Sequence, residues 1–324
     1  MSTAAAPIGT PKTGTNPISP RLAGANPGDT GPAGTPRATP TPKTSTAWAH
    51  ARYVLGENPV TLIAALLFAA YAAMALLGSA IAPFDPLASD TARALQAPTW
   101  RHLFGTDQLG RDILSRVIVA ARVDIGIALA SVALVFAAGG LAGLAAGFFG
   151  GWVDAVVGRI ADTIMAFPLF ILAMGIVAAL GNTIPNIVLA TAIVNFPLYA
   201  RVARAETLTR RDAGFVDAAR LSGHRDGALL LTQVLPNIMP IMVVQMSLTM
   251  GYAILNAAGL SFIGLGVRPP TAEWGIMVAE GASFIVSGEW WIALFPGATL
   301  MLAVFCFNLL GDGLRDIVDP RRRT

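Results

Sequence analysis

The sequence predicts an all-α, polytopic membrane protein with six transmembrane helices. Three observations carry this. The 324-residue chain is 54% hydrophobic and only 13% charged, with a mean hydropathy of +0.62, whereas an average soluble domain carries roughly 25% charged residues. Its apolar residues gather into long uncharged runs. Its arginines and lysines gather between those runs, with a bias to one side.

The first run, Val60–Ala82, suits one crossing of about 20 residues. Gly78-Ser79-Ala80 resembles a cleavage site, but the run comes too late for a secretory signal and reads as a retained anchor. A mixed-charge segment, 83–122, follows. The next run, Ile125–Val153, is rich in Gly and Ala, which favours close helix packing in lipid. Thr163–Ala200 is too long for one helix, and Gly181–Asn186 ("GNTIPN") is expected to break it into two spans. In the run Gly227–Val267 one span is expected over about 236–259. Trp290–Gly311 supplies the sixth.

Residues 1–46 contain nine Pro, six Gly and ten Thr. Such a segment has little to bury and reads as a disordered, mildly basic tail. With a cytoplasmic N-terminus, sixteen of the 22 Lys and Arg fall inside and six outside. That bias places both termini, and the charged stretch 201–226, in the cytoplasm. The expected organisation is a tail (1–46), a first span with an extracytoplasmic segment (47–115), a core membrane domain (116–314) and a basic C-terminus (315–324).

Composition also excludes chemistry. The only lysines, Lys12 and Lys43, each follow a proline. A phosphate-binding loop needs a Gly-Lys pair, so any ATP must be bound by another subunit. His50, His102 and His224 lie outside the apolar runs, which weakens intramembrane metal or Ser-His chemistry. A hydrolase using Ser261, for instance, would lack its histidine. Cys306 is single and sits in an apolar run, so no intrachain disulfide forms. Neither cofactor nor nucleic acid is implied.

The stretch "FVDAARLSGHRDGALLLTQVLP" (215–236) stands out. It reads as a helix near 212–226, too short to be stable alone. Asp217 can pair with Arg220 at i,i+3. Ala218 and Ala219 offer little bulk to an approaching partner. Gly223 can take the left-handed conformation that ends a helix. Pro236 suits the first turn of the next helix.

This stretch, with Asp217, Ala218, Ala219, Gly223, Leu235 and Pro236, resembles the coupling motif of permease subunits of bacterial ABC importers of the dipeptide/oligopeptide family (the DppC/OppC-like branch). Four other stretches resemble the same branch: His102–Val123, Gly150–Pro168, Gly259–Gly281 and Phe307–Arg321. The likeness covers nearly everything from about 55 to 321. The family pattern usually has Glu where this chain has Asp217, and often an acidic residue near Asn256–Ala257, which is missing here.

The resemblance implies a type I ABC importer permease fold in the bacterial inner membrane. It implies a non-enzymatic subunit that carries peptides, or another small solute such as glutathione or a nickel chelate. The implied partners are a sister permease, two ATPase subunits, an extracytoplasmic binding protein and membrane lipid, with the 212–226 helix inserting into a cleft on an ATPase subunit. An ion-driven secondary transporter is the rival class; it would usually show intramembrane carboxylates or an internal repeat, and neither is evident.

Asn195, Gln245, Ser247, Thr249, Asn256 and Asn308 are polar residues inside the expected spans. They read either as helix–helix contacts or, for the first five, as the lining of a translocation path. The absence of charge in the spans points to a path without a fixed ionic site. Asp107 and Asp112 stand five apart without a third group, so Gly105–Asp112 reads as an interfacial turn rather than a catalytic pair. Trp274, Trp290 and Trp291 read first as interfacial anchors, with a periplasmic gate or docking surface for the binding protein as the alternative.

Overall fold

The structure is a computed structural model and describes residues 59–318. The expectations for the tail, for residues 47–58 and for the end of the C-terminus lie outside the described residues. Nine α-helices, two of them carrying a π turn, and one 3-10 turn (Thr91–Arg93) are present among them, with no β-strand and one isolated bridge, Thr106 to Asp112.

Helix α1 spans Pro59–Ile81, within a residue of the expected run. Proline suits a first turn because its missing N–H would have no intrahelical acceptor there. One face of α1 packs on the last helix: the Tyr71 hydroxyl donates to the Thr299 carbonyl at 2.7 Å and Cys306 Sγ to the Ala64 carbonyl at 3.5 Å. Its other face, with Leu66, Leu76 and Leu77, is exposed, as a lipid-facing surface requires.

The second spanning helix, α2 (Ile113–Phe149), begins at Ile113 rather than Ile125. Asp112 caps it by accepting the Ser115 N–H at 2.8 Å and the Ser115 hydroxyl at 2.6 Å. Arg116, Arg122 and Asp124 are therefore helical. The expectation of charge-free spans is corrected here: Arg116 and Asp124 are buried because the ends of other elements bring them partners. At 37 residues α2 is about 55 Å long, well beyond a bilayer core of about 30 Å. A π turn at Phe136–Gly140 interrupts it.

Helices α3 (Gly151–Met165) and α4 (Leu169–Leu180) meet at 89°. Pro168 stands at the corner as the cap of α4. Twelve residues reach about 18 Å, so α4 alone is too short to cross. The break at Gly181 falls where expected, and α5 (Ile184–Leu208) follows it. The run Thr163–Ala200 thus holds the end of α3, all of α4 and most of α5, not two full spans. Five helices are long and apolar enough to cross, and the bent α3–α4 pair makes a sixth.

Helix α6 (Gly214–Leu221) is short. Helix α7 runs from Asp226 to Phe262, longer at both ends than the expected 236–259. Pro236 does lie in the first turn of a regular α-helical stretch, Leu235–Phe262, but that stretch is not a fresh start. A π turn at Leu230–Val234 leads into it without a gap. A proline ring clashes with the carbonyl one turn earlier and donates no hydrogen bond, and widening that turn is one way to keep the rod continuous.

The segment 261–289 contains a further helix, α8 (Trp274–Ala282), and α9 (Trp291–Val318) closes the fold. Trp274 is fully buried, so its reading as an interfacial anchor is corrected. The ring packs edge-on against Tyr71 and donates from Nε1 to the Val117 carbonyl at 3.0 Å. Trp291 is also buried and donates to the Thr106 carbonyl at 3.4 Å. Only Trp290 is half exposed.

The core falls into patches along the bundle. One, with Tyr71, Val117, Trp274 and Phe307, joins α1, α2, α8 and α9. Another, with Leu144, Phe148, Tyr199, Val216 and Leu229, joins α2, α5, α6 and α7. In the second, α2 and α5 approach closely. A Cβ on Gly143 would stand 2.2 Å from the Ala200 carbonyl oxygen, so only glycine fits there.

Candidate functional site

The site with the clearest geometry is α6 and its two joints. Val216 is its single buried side chain and plugs into the patch formed by Leu144, Phe148 and Leu229. Phe215, Asp217, Ala218 and Leu221 are exposed, and Leu221 is 91% so. An apolar side chain held out of a helix of eight residues is surface that a partner can cover.

The C-terminal joint is a complete Schellman motif. Gly223 has φ = +85°, its N–H reaches the Arg220 carbonyl at 2.9 Å, and the His224 N–H reaches the Ala219 carbonyl at 3.2 Å. These two bonds satisfy carbonyls that a helix end otherwise leaves open. His224 Nδ1 lies 3.1 Å from the same Ala219 oxygen. Asp217 and Arg220 pair at 3.2 Å, and the Arg220 guanidinium lies 5.6 Å from the centre of the Phe148 ring. The helix is thus held to α2 from one side and stopped sharply at its end. Leu235 is half-buried and Pro236 exposed, both just beyond the π turn inside the long rod.

The five polar residues considered for a path differ in burial and in the bonds they make. Ser247 is buried and donates to the Phe307 carbonyl at 2.8 Å, so it joins α7 to α9. Thr249 is buried; it donates to the Gln245 carbonyl at 2.9 Å and accepts from Gln245 Nε2 at 3.2 Å. Asn195 donates to the Thr191 carbonyl within α5 at 2.8 Å. Asn195, Gln245 and Asn256 are half-buried. Asn308 donates to the Val304 carbonyl at 3.0 Å.

The opposite end of the bundle holds a buried ionic network that sequence reasoning missed. Arg111 Nε meets Asp107 Oδ2 at 2.6 Å, and Arg116 lies 3.7 Å from that carboxylate and 3.8 Å from Glu280. Glu273 caps α8 by accepting from the Gly275 and Ile276 N–H groups. His102 lies 2.9 Å from Asp112, the residue that caps α2. The capping signal in "RDILS" was present in the sequence, but Glu280, the second carboxylate facing Arg111 and Arg116, comes from a segment more than 150 positions away. Asp107 and Asp112 therefore serve different elements. A second missed cluster lies on the α3–α5 face, where Arg204 grips Asp154 with two bonds of 2.5 and 2.7 Å and Arg201 meets Asp162 at 2.7 Å.

Residues 139–324 match the family described as the inner membrane component of binding-protein-dependent transport systems. The chain is 37% identical over 279 residues to the dipeptide transport system permease protein DppC of Alkalihalophilus pseudofirmus, covering 86% of this chain and 91% of that one. It is 43% identical over 253 residues to the di/tripeptide transport system permease protein DppC of Pseudomonas aeruginosa, covering 76% and 83%. It is 40% identical over 263 residues to the glutathione transport system permease protein GsiD of Escherichia coli, covering 81% and 86%.

Proposed function

This chain belongs to the family of inner membrane components of binding-protein-dependent transport systems, and from that premise we propose that it carries di- or oligopeptides across the membrane together with a sister permease. It is a multi-pass membrane subunit of an ABC importer, not an enzyme; ATP hydrolysis belongs to partner subunits, and a binding protein delivers the solute. Both termini and α6 then face the cytoplasm, in line with the arginine distribution.

The observation that carries the mechanism is α6 itself. A rigid, sharply ended helix with one face anchored through Val216 and the other free can pass force from a partner to α2 and α7. Asp217, Ala218, Ala219 and Gly223 form the part that meets the ATPase, and Leu235 and Pro236 lie just past the π turn inside the rod that moves. Small side chains at 218 and 219 let the partner approach closely. The Asp217–Arg220 pair keeps the face soluble until it is covered. On this reading Asn195, Gln245 and Asn256, the half-buried members of the polar set, line the path more directly than Ser247 and Thr249.

The second reading is glutathione, itself a modified tripeptide, favoured by the likeness to the glutathione permease. Uptake of a labelled dipeptide in cells that depend on this chain and its partners tests the proposal. Uptake lost on deletion and restored by the chain, and competed by peptides better than by glutathione, is the expected result. Uptake unchanged by deletion overturns it.

A further inference from the structure

Trp100 is 98% exposed, more than any other large apolar side chain among the described residues. It does not stand on a loose loop. The Thr99 N–H reaches the His102 carbonyl at 2.8 Å, and the His102 N–H returns to Thr99 Oγ1 at 3.1 Å. The His102 ring is buried between Asp112 and Phe84. The turn is therefore rigid, and it presents the indole together with Leu103, which is also exposed.

The height of this turn along the bundle is fixed by its neighbours. Phe104 stacks face to face on Phe295, with ring centres 4.1 Å apart and planes within 5°. Phe295 lies one turn inside the start of α9, a membrane-crossing helix. Thr106 is bonded to Trp291, the first residue of that helix. The half-exposed Trp290 lies 6.1 Å from Phe295. Trp100 and Leu103 thus stand at the level where the last span leaves the apolar core, beside an aromatic residue already placed there.

We propose that the turn Pro98–Leu103 is a lipid anchor: the Trp100 indole and Leu103 insert at the boundary between headgroups and acyl chains, on the membrane face opposite α6. An indole is amphipathic and settles where its ring meets apolar chains and its N–H meets water and headgroups. Arg101, between the two apolar side chains, is exposed and supplies a cation at phosphate level. The anchor would clamp the segment between α1 and α2 to the bilayer surface, and through Phe104 the head of α9. The inference does not depend on which solute is carried.

The test is a depth measurement on the assembled complex in lipid vesicles. A nitroxide is attached in turn to Trp100→Cys and Leu103→Cys, each in a Cys306→Ala chain, with Leu76→Cys as the lipid-facing reference. Trp100 and Leu103 are both exposed, so neither change disturbs packing. Expected is a label at 100 and at 103 that is relaxed more by dissolved oxygen than by a water-soluble nickel chelate, with an oxygen preference somewhat below that of Leu76. Stronger relaxation by the nickel chelate puts the turn in water and overturns the anchor. Labels immobilised and reached by neither relaxant show that another protein covers the turn, which overturns it equally.

Discussion

The carboxylate of Asp124, in α2, accepts the backbone N–H of Trp274, the first residue of α8, at 3.1 Å across 150 positions of chain. Both residues are fully buried. The bond fixes where α8 begins, and Glu273, the preceding residue, closes the same helix end with its own two hydrogen bonds. Two acidic side chains thus serve one helix start, one from within and one from the neighbouring span.

Asp124→Asn keeps an acceptor oxygen and is expected to be tolerated. Asp124→Leu leaves the Trp274 N–H buried without its side-chain partner, at a cost of about 1–3 kcal/mol. Thermal unfolding of the purified complex, followed by the monodisperse fraction on size exclusion, should separate the two. Equal midpoints for Asn and Leu would show that the bond carries no weight.

The network at the same end makes a stronger claim. Asp107 holds Arg111 and lies near Arg116, both buried. Asp107→Asn leaves two guanidinium groups facing one carboxylate, Glu280. Breaking one partner of a buried pair costs about 3–5 kcal/mol, so this variant should accumulate poorly in the membrane. Asp107→Asn combined with Arg111→Met removes one charge of each sign and should recover part of the yield. Normal accumulation of the single variant is the outcome that refutes this account.

What the sequence revealed and what it hid have physical causes. Runs of apolar residues mark spans because lipid tolerates little else, so Pro59–Ile81 and Trp291–Val318 were legible to within a few residues at their outer ends. The first turns of α2 were hidden because charge normally signals the end of a span, and here Arg116 lies beside Asp107 and Glu280 while Asp124 accepts the Trp274 N–H. The corner between α3 and α4 was hidden because an apolar run says nothing about direction. At α6 the signals were local: the i,i+3 pair and the glycine lie within the motif, and the structure has both. The anchor at Val216 was not legible, since its pocket is assembled from α2 and α7.

The direction of insertion is open to a direct measurement. Ser89, Ser283 and Ser222 are all exposed, so single cysteines there, in a Cys306→Ala chain, will react if reagent reaches them. In intact cells without an outer-membrane barrier, an impermeant thiol reagent should label positions 89 and 283 and spare 222. The arginine bias predicts this order. Labelling at 222 with none at 89 would invert the molecule and remove α6 from the cytoplasm.

The decisive variants for coupling are Gly223→Val and Ala218→Trp, because they damage α6 in different ways. No atom lies within 4 Å of where a Cβ on Gly223 would be, so valine meets no clash with its surroundings. Its cost comes from the backbone alone: at φ = +85° an L residue loses about 1–2 kcal/mol, and a β-branched one at least that. The chain can escape this strain by opening the Schellman bonds, which frees α6 from the fixed angle at which it meets α7. Ala218 is exposed, and tryptophan there leaves Val216 and its pocket untouched while adding bulk where a partner must approach. Both proteins should therefore reach the membrane at near-normal levels and lose uptake. Ala218→Trp should fail to retain the ATPase through purification. Gly223→Val should retain it but lose the rise in ATP hydrolysis that the loaded binding protein produces. Gly223→Asn, which tolerates the left-handed region better than valine, should keep a larger share of uptake. If Gly223→Val and Ala218→Trp transport at the wild-type rate with the ATPase bound, α6 transmits no force and is only a solvated loop helix.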